Sequence, residues 1–344
     1  MPELVLLIVV IAAAIGFGVV NGFNDAANSV AASIGSRAIS PRNGIILAAF
    51  CDFAGAATGL QVARTIGKGI LDPEVVGSLP VITAFLILIA ALAAVIIWGT
   101  IATRLGLPVS ISHSFVTGLA AAGAAVVGWG AVIWGVLQRI GISVAAAPTL
   151  GFLGGFALMV VLLWLFRRSA PYRMRVVFSR LQWLTTAFLA YSHGKNDGQM
   201  PIGIITMALV IYHKDIGLWD RLSLLDAGTW WIILVSALAI SLGIAMGGWR
   251  VIKTVGMKIT SMQPIHGFAT DATAATVIEM ASRLGIPVST THCATAAVMG
   301  VGATRRLSAV RWGVTRNIVL AWILTFPICG ILGWLIASLL KIAF

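Results

Sequence analysis

Apolar residues along the chain gather into long runs separated by short polar or basic breaks. The runs lie near 4–21, 44–62, 80–102, 107–127, 146–166, 181–212, 228–249, 262–282, 287–303 and 315–341. Runs of about 17 to 25 apolar residues cross a hydrocarbon core of roughly 30 Å as helices. The pattern therefore predicts an all-α chain threaded repeatedly through a bilayer. Two runs, 107–127 and 287–303, are rich in Gly, Ala and Ser, and either full spans or re-entrant hairpins would fit them. Residues 129–142 are short and mixed, as expected of an interfacial or half-crossing helix. The first run begins with the acidic Glu3 and meets no cleavage site, so it is expected to stay as a helix, not to be removed as a leader.

The pattern also repeats. "GLPVSISHSFVTGLAAAG" (106–123) aligns without a gap on "GIPVSTTHCATAAVMGVG" (285–302). "GFNDAANSVAASIG" (22–35) aligns on "GKNDGQMPIGIITM" (194–207), and "VARTIGKGI" (62–70) more loosely on "VIKTVGMKI" (251–259). All three pairs keep the same order, so the chain divides into a first repeat at 1–166, a basic linker at 167–180 and a second repeat at 181–344. The first Asn-Asp segment is followed by Arg37 and Arg42; the second is preceded by the linker, which carries five arginines. Equivalent segments then cross in opposite directions, the mark of an inverted-topology repeat. The expected fold is an all-α integral membrane protein of two inverted repeats, about five spans each, with broken or re-entrant helices.

Composition sharpens this picture. The 344 residues are 59% hydrophobic and 10% charged, with a mean hydropathy of +1.01. A soluble domain lacks the polar surface to carry that load. The net charge of +12 does not indicate nucleic acid, because Lys and Arg sit in short loops between runs, as the positive-inside rule describes. That rule places 167–180, Arg37, Arg42, Arg305, Arg306 and Arg311 in the cytoplasm and both termini outside an inner, cell membrane. Cys51, Cys293 and Cys329 lie in apolar runs without metal-ligand spacing.

Against this background the polar residues stand out. Asp25 and Asp197 each follow an asparagine (Asn24, Asn196) amid glycines. A carboxylate at the bilayer centre costs at least ~2.5 kcal/mol, so it is a functional candidate by default. A helix broken at the glycines would add carbonyl oxygens, giving a set suited to Na⁺ or a proton. Helix N-capping is the plainer role for such residues, but duplication in matching places argues against it. The "PVSISHS" and "PVSTTHC" stretches hold no acids; they line up Ser110, Ser112 and Ser114 against Ser289, Thr290 and Thr291. Pro108 and Pro287 suit a helix start, and hydroxyls beside a helix N-terminus make an anion site. Small residues that merely pack helices closely are the alternative. His113 and His292 would donate to the anion or satisfy a buried acceptor. Lys195, matched by Phe23, would attract an anion, balance Asp197 or reach the cytoplasmic face. Asp52, Asp271 and Glu279 have no repeat counterpart, which leaves them a supporting or packing role. Arg64 and Lys253, beside Thr65 and Thr254, read as solvated helix ends.

"GFNDAANS", "SHGKNDGQMPIG" and "PVSTTH" together resemble the inorganic phosphate transporter (PiT) family, over nearly the whole chain. The resemblance implies symport of inorganic phosphate driven by Na⁺ or H⁺, through a central site built from both repeats. By matching position, Asn24, Asp25, Asn28, Asn196, Asp197 and Gln199 would line the cation and phosphate region. The six hydroxyls, with Asn196 and Gln199, would hold phosphate, and Na⁺ would sit at Asp25 and Asp197. Phe23 departs from the family pattern, where a smaller residue is commoner, and the lack of a large central domain fits a prokaryotic carrier.

The expected partners are phosphate, the coupling cation and lipid, with no resident cofactor and no nucleic acid; a homodimer is compatible with this reading. A sulfate or other oxyanion permease of the same fold is the nearest alternative. A channel and an intramembrane hydrolase using His113 and His292 with Asp25 and Asp197 are further ones. No nucleophile motif or metal-type histidine spacing supports an enzyme.

Overall fold

The computed structural model describes residues 2–343, apart from the side chain of Lys68. The first half forms α1 (Pro2–Gly35), α2 (Pro41–Ala57), α3 (Gln61–Gly69), α4 (Pro73–Ser78), α5 (Val81–Leu105), α6 (Ile111–Val127) and α7 (Trp134–Leu165). The second forms α8 (Pro171–Asp197), α9 (Gln199–His213), α10 (Leu218–Arg221), α11 (Trp230–Met246), α12 (Trp249–Lys253), α13 (Pro264–Arg283), α14 (Thr290–Ala303) and α15 (Trp312–Ala343). Among the described residues the extended pairing is one isolated bridge, Leu71 to Val132.

The repeats survive as packing. α1 lies on α11 and α5, and α8 lies in the matching way on α2 and α13. α2 bends by 70° into α3, and α11 by 60° into α12 with its π-helical continuation at Thr254–Lys258. The third, weak sequence repeat thus builds a pair of short helices set across the long ones. The last helix of each half covers the other half: α7 packs on α14 and α13, α15 on α6 and α5.

The two crossings of long helices depend on glycine. A Cβ on Gly22 would collide with the Ile240 carbonyl of α11, and one on Gly194 with the Asp52 carbonyl of α2. Backbones meet this closely only where no side chain intervenes, the usual device of helices packed in lipid.

The structure resolves the irregular runs. α5 ends at Gly106, whose φ of 73° is left-handed, and the chain turns through Pro108 back into α6. α13 ends at Gly285 (φ 67°) and turns through Pro287 into α14. Runs 80–102 with 107–127, and 262–282 with 287–303, are therefore two helical hairpins. Ser110 and Ser289 cap α6 and α14 with nearly the same backbone, φ −83°, ψ 104° and φ −74°, ψ 104°.

Four expectations change. The first Asn-Asp segment does not break its helix: α1 runs unbroken for 34 residues, about 50 Å at 1.5 Å per residue. Its glycines serve the crossing with α11 instead. The second segment does break, at Gly198 between α8 and α9, so 181–212 is two helices and not one span. Residues 134–142 are the opening turns of α7, not a separate interfacial helix. The basic segment is not all loop, because Pro171 occupies the first turn of α8, where a missing N–H is harmless.

Candidate functional site

Asp25 and Asp197 come together in the interior, both buried, on α1 and at the end of α8. The hairpin tips meet them from opposite halves. Thr291 of α14 donates to Asp25 Oδ1 at 2.9 Å, and its repeat match Ser112 of α6 donates to Asp197 Oδ1 at 3.2 Å. Each carboxylate is thus bonded to a hydroxyl from the other half. Thr290 adds a bond to Asp197 Oδ2 at 2.8 Å, and Asn28 donates to Thr291 Oγ1 at 2.9 Å and Thr290 Oγ1 at 3.3 Å.

The asparagines before the acids hold the tips in place. The Asn24 amide lies 2.7 Å from Thr103 Oγ1 and 3.3 Å from the Leu107 carbonyl. Asn196 lies 3.0 Å from Ser282 Oγ and 3.4 Å from the Ile286 carbonyl. Thr103 with Leu107 and Ser282 with Ile286 are the same two places in the two hairpins, so each Asn-Asp pair fastens the hairpin of its own half and presents its acid to the other.

Three of the six hydroxyls are engaged locally. Ser110 and Ser289 accept from the His113 and His292 backbone N–H at 3.3 Å and 3.1 Å, and Ser114 donates to the Ser110 carbonyl at 2.7 Å. The first two bonds satisfy backbone N–H groups that a helix start leaves open. Ser112, Thr290 and Thr291 are the hydroxyls that face the carboxylates. Gln199 lies apart from this cluster: its Oε1 accepts from Val62 and Ala63 N–H at 2.9 Å and 3.2 Å, capping α3, and its Nε2 donates to the Lys195 carbonyl.

The histidines at the hairpins pack among rings. His113 and His292 lie 5.4 Å apart between centroids, His113 stacked on Phe326 and His292 against Trp322. Lys195 does not reach Asp197; its Nζ pairs with Glu279 Oε1 at 2.6 Å, and Glu279 also takes Arg283 at 2.7 Å. The unmatched Glu279 thereby acquires a structural role between α8 and α13. Asp271 has another, accepting from Thr186 at 2.9 Å and Gln182 at 3.4 Å.

Sequence reasoning gave no role to the residue at the middle. His193 is fully buried, with Nδ1 2.5 Å from Asp52 Oδ1 and Nε2 facing Asp197 Oδ2 at 3.2 Å and Asp25 Oδ2 at 3.7 Å. Asp25, His193 and Asp197 offer ligand atoms within 4.8 Å of one another, close enough to share a small cation. The signals in the sequence are an intramembrane acid at 52 and a histidine in the densest polar cluster of an apolar run. What hid the pair was that its members lie 141 residues apart.

Comparison with known proteins decides the family. The phosphate transporter family matches residues 21–333. The chain belongs to the phosphate transporter family. Among its relatives is a "Probable low-affinity inorganic phosphate transporter" of Rhizobium meliloti (strain 1021), 37% identical over 95% of this chain and 94% of that one. A protein of the same description in Bacillus subtilis (strain 168) is 36% identical over 99% of each chain. A solved structure described as "The sodium-dependent phosphate transporter" superposes with a TM-score of 0.87 at 29% identity, covering 99% of this chain and 100% of that one. This family consists of transporters, not enzymes, and its apolar helices make the chain a multi-pass membrane protein.

Proposed function

We propose that this phosphate transporter family member is a cation-coupled symporter of inorganic phosphate in the cell membrane, working by alternating access. The observation that carries the reading is the exchange of hydroxyl–carboxylate bonds between halves, Thr291 to Asp25 and Ser112 to Asp197. These hydroxyls serve two sites at once. A cation seated between Asp25 and Asp197 takes the oxygens that now hold the hydroxyl hydrogens. Ser112, Thr290 and Thr291, with Asn28, then turn their donors to an oxyanion beside the cation. Binding of one ion prepares the site for the other, a coupling free energy between neighbouring sites. The cation also offsets the anion's charge in a buried setting where an unpaired charge is costly. Ser110, Ser114 and Ser289 position the tips, and Asn24 and Asn196 tie each tip to its helix.

Na⁺ is the proposed driving ion, supported by the description of the solved relative. Phosphate is favoured over sulfate for a chemical reason. Hydrogen phosphate carries a P–OH donor that a carboxylate can accept, whereas sulfate brings only acceptors against Asp25 and Asp197. The halves divide at 167–180, and the arginine bias puts that segment in the cytoplasm with both termini outside.

Purified protein in liposomes tests this directly. Labelled phosphate should accumulate under an inward Na⁺ gradient and resist a sulfate excess; accumulation only under a pH gradient would replace Na⁺ by H⁺. Asp25→Asn and Asp197→Asn should each abolish accumulation in folded protein. Parental uptake in both variants would overturn the assignment.

A further inference from the structure

A second polar cavity lies away from the central site, at the far end of α1. It measures about 750 Å³ and is walled by Ser36 and Arg37 after α1, Tyr172 and Arg175 at the start of α8, and the segment Gly256–Ile265 ahead of α13. Seven residues, or about 10 Å of helix, separate Asn28 from Gly35 at its edge. Both arginines are exposed. A third, Arg305, donates to Ser261 of the cavity wall at 3.3 Å. No carboxylate belongs to the wall among the described residues, so the cations there are unpaired within it.

Two further features fit an anion. The 20-residue helix α13 begins in the wall, with the positive end of its dipole at the cavity. Arg37 holds a φ of 61°, a left-handed conformation that strains an ordinary residue. A glycine would avoid that strain, yet an arginine stands at the lip.

We infer that this cavity is a binding site for a phosphoryl group, held by Arg37 and Arg175. Guanidinium forks match phosphate oxygens in pairs. Its walls come from both halves: α1 from the first, α8 and 256–265 from the second. An occupied site therefore ties the end of the helix bearing Asp25 to the opposite half. A free phosphate ion and the headgroup of an anionic lipid share the required chemistry.

Thermal unfolding of the purified full chain in detergent separates these sources. Inorganic phosphate is titrated in one arm and solubilised phosphatidic acid in the other, with phosphatidylcholine as the zwitterionic control. The central site raises Tm with phosphate in every variant, so only the part of the phosphate response that Arg37→Gly and Arg175→Gln lose assigns the free ion to this cavity, and a rise with phosphatidic acid alone assigns the lipid. In either case Arg37→Gly and Arg175→Gln should at least halve the rise, while Arg168→Gln, on the same basic segment but outside the wall, should keep it. Arg37→Gly is the safeguard on folding, since glycine relaxes at that φ and the ligand-free Tm should hold or increase. The inference falls if neither ligand raises Tm, if the two cavity variants respond like the parent, or if Arg168→Gln loses as much as they do.

Discussion

His193 is where the twofold plan of the molecule is broken at the level of a single residue. It precedes Gly194 as Asn21 precedes Gly22, and Asp52, whose carbonyl meets Gly194, stands where Ile240 meets Gly22. One crossing, α8 on α2, therefore sets a histidine–carboxylate pair behind its acid, and the other, α1 on α11, an asparagine beside an aliphatic side chain. A carboxylate bonded to one ring nitrogen fixes the imidazole's orientation and which nitrogen faces the site, as in metal centres. Here Asp52 holds Nδ1 at 2.5 Å and leaves Nε2 to Asp25 and Asp197. We predict that Asp52→Asn, which keeps the shape and loses the charge, lowers maximal phosphate uptake about tenfold or more, equivalent to ~1.4 kcal/mol of barrier. Asp52→Ala should also unfold at lower temperature, because removing one partner of a buried charged pair costs about 3–5 kcal/mol. Uptake by the Asn variant at the parental rate would reduce the pair to packing.

At the scale of helices, small residues decide how near the backbones come. Gly300 of α14 lies against the Phe152 carbonyl of α7, and Gly333 of α15 against the Gly118 carbonyl of α6. We predict that Gly22→Ala, Gly194→Ala and Gly300→Ala each destabilise by about 1–3 kcal/mol, the usual range for overpacking. Gly135→Ala and Gly141→Ala in α7, where a Cβ meets open space, should be neutral or stabilising by up to about 1 kcal/mol through helix propensity. Melting curves of the five variants test the contrast, and equal losses in both groups would refute it. The same scale explains what self-comparison of the sequence could reveal. Features present in both halves were legible: the repeated segments, Asp25 with Asp197, and the hydroxyl rows; which apolar runs were full spans was not. Features without a repeat counterpart were not. Asp52 with His193, and Lys195 with Glu279, lack a second copy and join residues 141 and 84 positions apart. Nor does glycine content tell a broken helix from a close crossing, so the break at Gly198 and its absence in α1 depended on the neighbours.

For the whole molecule, the exchange of final helices constrains how the halves can move. α15 covers the α5–α6 hairpin and α7 covers the α13–α14 hairpin, so neither half can swing as a unit bounded by its own sequence. For the proposed alternating access we predict two moving bodies along the close glycine contacts: α5, α6 and α15 as one, α13, α14 and α7 as the other. Under the proposed alternating access, the bonds expected to change are those at the tips, where hydroxyls from one body meet a carboxylate held by the other half. A covalent link inside one body should then leave transport intact. Thr117 of α6 and Gly330 of α15 are suitable, because a Cβ on Gly330 would stand 3.5 Å from Thr117 Cγ2, and the γ position of residue 117 is where the sulfur of a disulfide would lie. In a background with Cys51, Cys293 and Cys329 replaced, we predict that Thr117→Cys/Gly330→Cys oxidises readily and keeps phosphate uptake within about twofold of its reduced form, a difference of ~0.4 kcal/mol. Loss of uptake on oxidation, restored by reduction, would show instead that the first hairpin slides on α15, and the boundary between the moving bodies would have to be redrawn through that contact.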